Sequence, residues 1–289
     1  MKKRRVLICT GVLIGCLLGL TGTSKAGAFL DNPYWDSGKA EFQVYQAAIK
    51  KYDIYRQASV KLIMVKEPFD PVRLVKTRQE KGSINVVKMN LIRRIPTGIY
   101  DYFQMASIFF ERSTGRILKY TMSNQDGCGN TFMEYVRREG KHVFHYHSYF
   151  DDQGDSETIL EGDDFTFYDA LPVVLRFRLT QAGEYRLHIM DSLISNKVVP
   201  LTIREGLVRN RSEESRKVGE KTYPRVFISE VHRGEQIDLL IFEPEYPHRL
   251  LEWRKADGDG MVLDQSHFLY YWNFTQPDDR SLGMVQDGI

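Results

Sequence analysis

The sequence predicts an all-β protein, mainly antiparallel, built as a curved sheet, an incomplete barrel or a sandwich with few short helices. Three observations carry this. Apolar residues past the N-terminus recur mainly with period two, as in "SVKLIMV", "NVVKMNLI" and "RILKYTMS". Turn chemistry interrupts the pattern at short intervals, at Arg233-Gly234 and at Asp257-Gly258-Asp259-Gly260. Aromatic residues make up 12% of the chain, which suits a pleated, half-buried surface.

Taken in order, the chain opens on "MKKRR", an apolar run from Val6 to Leu20, and small residues that include Ala26 and Ala28. A charged start, a short apolar stretch and an A-x-A pattern predict a secretory signal peptide over residues 1–28. The apolar run is about 15 residues, short of the roughly 20 that span a bilayer. "LIGC" offers a second cut, in which Cys16 would be lipidated and would tie the protein to a membrane. Removal of residues 1–28 takes away five basic and no acidic residues, so the formal charge moves from +2 to −3. That balance gives no footprint for nucleic acid. It also leaves Cys128 as the only cysteine, so the mature protein needs a real core rather than disulfides.

The remainder divides near "DDQGDSETILEGDD" into a β-rich half over 29–155 and another over 156–289, which can also form one continuous domain. "KAEFQVYQAAIKKYDIYRQASVKLIMV" carries a helical stripe (Tyr45, Ala48, Ile49, Tyr52), yet Phe42, Val44 and Ile54 fit strands, and strands are the expectation. "GIYDYFQMASIFF" has room for one short helix. "KHVFHYHSYF" reads as a strand. "LPVVLRFRLTQAGEYRLHIMD" reads as an antiparallel hairpin with one wet face, Leu175, Phe177 and Leu179 alternating with polar residues. Residues 204–225, charged and poor in apolar side chains, read as a solvated loop.

Chemistry centres on "NQDGCGNTF". A nucleophilic cysteine needs a lowered pKa and a nearby base. His142, His145 and His147 follow within reach if Cys128 opens a strand that pairs with theirs, making Cys128, His145 and His147 the candidate catalytic set. The competing reading is a tight turn in which Cys128 packs as a small hydrophobe. His145 and His147 at i, i+2 share a strand face, a spacing that also suits zinc, but no second ligand cluster accompanies them, and neither a metal nor a cofactor is expected. "DGDG" fails the calcium-loop spacing because Met261 stands where the third oxygen ligand belongs. "IYDYF" and "FLYYWNF" concentrate amphipathic rings, and Tyr100, Tyr102, Tyr270, Tyr271 and Trp272 are the candidate ligand-binding residues.

From "WDSGKAEFQVYQ" through Glu67-Pro68-Phe69 and Thr97-Gly98-Ile99-Tyr100 to the Cys128-Gly129 turn, the chain resembles a family of uncharacterised exported bacterial envelope proteins. Many of these are lipoproteins, and some carry the label septum formation inhibitor. The segment "IDLLIFEPEYPHRLLEWRKADGDGMVLDQS" is similar to a broader domain of unknown function with a curved antiparallel sheet, and that sheet resembles the one in periplasmic lipoprotein carriers. The resemblance implies an exported, periplasmic or envelope-associated protein of β architecture. It supplies no activity, and "QDGCG" departs from the family, where an aromatic residue usually precedes the cysteine. The expected function is therefore non-enzymatic: binding a lipid or other amphipathic ligand, or an envelope protein partner, on the concave face of the sheet. The alternatives are a Cys128-dependent enzyme and a structural part of an envelope assembly.

Overall fold

The computed structural model describes residues 25–181 and 183–285. The apolar run on which the expectation of a signal peptide rests, with Cys9 and Cys16, lies outside the described residues. The fold is a large antiparallel sheet, open and curved, with a few short helices. Its strands are β1 (Ala40–Lys51), β2 (Ile54–Asp70), β3 (Val75–Lys76), β4 (Ile84–Pro96), β5 (Asp101–Glu111), β6 (Ile117–Gln125), β7 (Asn130–Arg138) and β8 (Lys141–Ser148), then β9 (Gly154–Leu160) and the two-residue β10 (Thr166–Phe167). The rest are β11 (Gly183–Met190), β12 (Ile203–Val218), β13 (Lys221–Arg233), β14 (Gln236–Phe242), β15 (Leu250–Arg254) and β16 (Gly260–Leu269).

Neighbouring strands pair antiparallel except β10 and β11, which run parallel, and the first strand also pairs with the last, Ala40 lying opposite Leu269. The sheet is thus continuous from β10 through β16 and β1 to β9, with the short β3 pairing β2 at the side. Its two edges, β9 and β10, are consecutive in the chain. Six Cα steps join Leu160 to Thr166, so the gap between the edges is at most about 20 Å. The structure is a barrel left open along one seam.

The period-two pattern sorts residues between the faces. On β1, Tyr45, Ala47 and Ile49 point into the concave core, where they share one buried cluster with Val60, Leu62, Met89, Tyr120, Phe144 and Tyr146 from other strands. Three smaller apolar clusters sit apart from this core, among them Ala40, Ile63 and Val65, covered by Tyr271.

The concave face is filled by the chain itself. After β10 the backbone enters the interior as a helical segment: a 3-10 turn at Tyr168–Ala170, a short helix at Leu171–Val174 and a second 3-10 turn at Leu175–Arg178. Leu171, Val173, Leu175 and Leu179 are buried. This corrects the expected hairpin, of which only β11 is a strand. Pro172 is the reason: it cannot donate within a central strand but is pre-organised for the first turn of a helix. A helical turn also satisfies its own backbone where no partner strand is within reach.

Two more expectations need correction. "GIYDYFQMASIFF" contains no helix; from Asp101 it is β5. Residues 204–225 are no loop but most of the long hairpin β12–β13, in which opposite charges face one another across strands. Glu214 opposes Arg225, Arg211 reaches Glu230 at 3.1 Å, and on the other side Arg209 reaches Glu184 of β11 at 2.6 Å. Charge pairing takes the place of apolar alternation on this solvated stretch.

Candidate functional site

Cys128 lies in the turn between β6 and β7. Asp126 Oδ1 accepts hydrogen bonds from the backbone N–H of Cys128 (2.7 Å) and of Gly129 (3.1 Å), which fixes the turn. The thiol is exposed, so the packing reading of Cys128 fails. The flanking glycines are required by rings instead. A Cβ on Gly127 would lie 3.1 Å from Tyr100 Cγ, and one on Gly129 would lie 2.4 Å from Tyr149 Cδ1.

Tyr100 therefore stands beside Cys128, with Tyr102 next to it. The Tyr52 hydroxyl bridges them, 2.7 Å from Tyr100 Oη and 2.5 Å from Tyr102 Oη. That shared bond with Tyr52, with some burial, pushes the Tyr100 hydroxyl up to about 12. Tyr102 is a core residue.

The histidines face elsewhere. On β8, His145 lies 3.3 Å from Glu157, and His147 lies 3.1 Å from Asp155, both across to β9 on the outer face. His147 also stacks on Phe132. His142 points inward, hydrogen-bonds Tyr135 Oη at 3.0 Å and packs on Phe165. The contacts of Cys128 run to Asp126 and Tyr100, and those of His145 and His147 to β9 and Phe132. Among the described residues there is no group of three metal-ligating side chains.

The C-terminal aromatic run packs on the sheet. Tyr270 Oη donates to the Ser37 carbonyl at 3.0 Å, Tyr271 lies over Phe42, and Trp272 is half exposed beside both.

Among the concavities that open to solvent, one lies at the seam. Where the sheet fails to close, a groove of about 640 Å³ runs between the β5–β6 and β7 strand ends and β11. Its floor is Phe165, Val174, Phe177, Tyr185 and Leu187, all packed against the main core. Cations line its rim. Arg116 (3.8 Å) and Arg137 share Asp164, and Arg186 pairs with Glu205. Arg178 differs from these: its guanidinium lies over the Tyr185 ring, 5.0 Å from the centroid, and among the described residues no carboxylate pairs with it. Burial pushes the Tyr185 hydroxyl up to about 12, so that ring stays neutral under the arginine. The buried Thr166 Oγ1, also on the groove, has no hydrogen-bond partner among the described residues.

One end of the groove is closed by Ala26, from the short helix Lys25–Leu30. A Cβ on Gly115 would lie 2.2 Å from Ala26 Cβ, so that helix sits directly on the β5–β6 turn. An apolar floor under a cationic rim can hold an amphipathic anion, its chain on the rings and its head at Arg178. None of the catalytic or ligand-binding candidates read from the sequence lies here. Pro172 was the one local signal, because it breaks the hairpin that separates Phe177 from Tyr185. No family model, curated protein or solved structure matches the chain.

Proposed function

We propose that this is an exported, envelope-associated protein that binds an amphipathic, anionic molecule in the seam groove, with no chemistry performed on it. The observation that carries the reading is Arg178, which has no carboxylate partner among the described residues, set beside an aromatic and aliphatic floor where the described sheet is open. The concave face itself holds the chain's own helical segment, so the seam rather than the sheet centre is the ligand position. A chain starting at Phe29, as signal cleavage after Ala28 would leave it, lacks Ala26 and has a longer groove.

The test is titration of the protein with laurate, followed by displacement of anilinonaphthalene sulfonate fluorescence. Saturable one-to-one displacement is expected, weakened at least tenfold by Arg178→Gln and by Leu187→Trp, which fills the floor. Cys128→Ser, remote from the groove, should leave it unchanged. Displacement unaffected by Leu187→Trp, or lost in Cys128→Ser with the fold intact, sinks the reading; the latter result would favour chemistry at the Cys128 turn.

A further inference from the structure

A second polar feature lies inside the curved sheet, between β1, β2, β4 and the β15–β16 turn. It is a cavity of about 30 Å³, enough for a group of a few heavy atoms. Three hydrogen-bond donors line it. Arg93 Nε and Trp253 Nε1 are buried and have no hydrogen-bond partner. The Lys255 ammonium lies 4.8 Å from the centre of the Trp253 ring and 5.3 Å from that of Tyr168. Among the described residues neither Arg93 nor Lys255 is in an ion pair.

The cavity also carries two carboxylates, and both are engaged. Asp169 accepts from Tyr120 Oη (2.8 Å), Ser192 Oγ (2.6 Å) and the Leu193 N–H (2.9 Å). Asp259 Oδ1 accepts from the Lys50 N–H at 2.7 Å. Acceptors are thus supplied with donors while the donors are left over. Unpaired buried donors cost free energy that an incoming acceptor recovers.

We infer that this cavity binds the carboxylate of a small monocarboxylic acid, received by Arg93, Lys255 and Trp253. The volume admits a carboxylate with little more than a methyl group, for which Ile49, Leu91 and Met261 form the apolar wall. Asp169 and Asp259 already place negative charge at the rim, which disfavours a doubly charged phosphate. Burial holds both cationic side chains below their ordinary pKa even though the nearby carboxylates Asp169, Asp259 and Asp257 oppose the shift.

The probe is sodium acetate, added to the full mature chain with the indole N–H signal of Trp253 followed by NMR; sodium chloride at equal ionic strength is the control. A saturable shift with acetate and none with chloride is expected. Half-saturation should move at least tenfold higher in Lys255→Met and in Arg93→Leu, and stay put in Arg178→Gln, which separates this cavity from the seam groove. Equal shifts with chloride, no saturable shift in the unaltered protein, or unchanged titration in a folded Lys255→Met variant overturns the inference. The first two outcomes do not depend on any variant folding.

Discussion

Arg176 and Glu41 form an ion pair sealed from solvent, with Arg176 Nη1 3.0 Å from Glu41 Oε2 and side-chain exposures of 0% and 1%. The pair fastens the interior helical segment to β1. Arg176 is further held by the carbonyls of Pro172 (2.9 Å) and Pro247 (3.4 Å).

Removing one partner strands the other. Glu41→Ala leaves a buried guanidinium without its counter-charge, and the expected loss is about 3–5 kcal/mol of unfolding free energy. The double change Glu41→Leu with Arg176→Met should lose clearly less, because no charge remains to be desolvated. Urea unfolding of the three proteins measures this. A double variant as unstable as Glu41→Ala would show that packing, rather than charge, holds the segment.

Acid should weaken the protein in two stages. Burial, and then the neighbouring Arg137, holds His142 below its ordinary 6.5; burial does the same for His248. Both are therefore neutral in the fold while the unfolded chain takes up protons near 6.5. Their contribution is complete above that pH and is lost as pH falls through the lowered folded values. Asp36 follows at lower pH: hydrogen bonds from Arg112 and Lys66 hold its carboxyl well below the usual 3.8, so its contribution is present above 3.8 and fades below. Urea midpoints should be flat above about pH 6.5 and decline below it, and His142→Gln should shrink the first decline. Midpoints that rise between pH 7 and 5 contradict this account.

Gly115 reports on the N-terminal helix. Its φ is +74°, so alanine there costs about 1–2 kcal/mol in any chain. In a chain that keeps Ala26, the new Cβ also collides with it, adding about 1–3 kcal/mol of overpacking. Melting of Gly115→Ala in the chain starting at Lys25 and in the chain starting at Phe29 should therefore give a larger loss in the first. Equal losses would mean that the helix does not rest on this turn.

Much of the sheet was legible in the sequence because alternation, as in Tyr45, Ala47 and Ile49, is a local property. So were the turns at Gly234 and Gly258. What escaped depends on distant partners. Leu175, Phe177 and Leu179 alternate like a strand, yet they are wrapped inside a sheet supplied by other segments, and only Pro172 hinted at it. The β12–β13 hairpin lacks apolar contrast because its specificity lies in pairs such as Glu214 and Arg225, which mean nothing until register is known. Proximity of Tyr100 to Cys128 could not be read either, since it rests on the β5 and β6 ends lying side by side. The seam groove gathers Ala26, Gly115, Phe165, Arg178 and Tyr185 from five separate segments, and no local pattern marks it.

The pairing of β1 with β16 also governs the order of assembly. Nearly every other contact between strands joins chain neighbours and can form by short loop closure, whereas Ala40 meets Leu269 only after almost the whole chain has been brought round. Two locally built meanders would thus form early, and their docking along β1 and β16 would be the slow, late event of folding. Until it occurs, both strands present long unpaired borders, and in that interval the chain is most open to capture by another copy of itself.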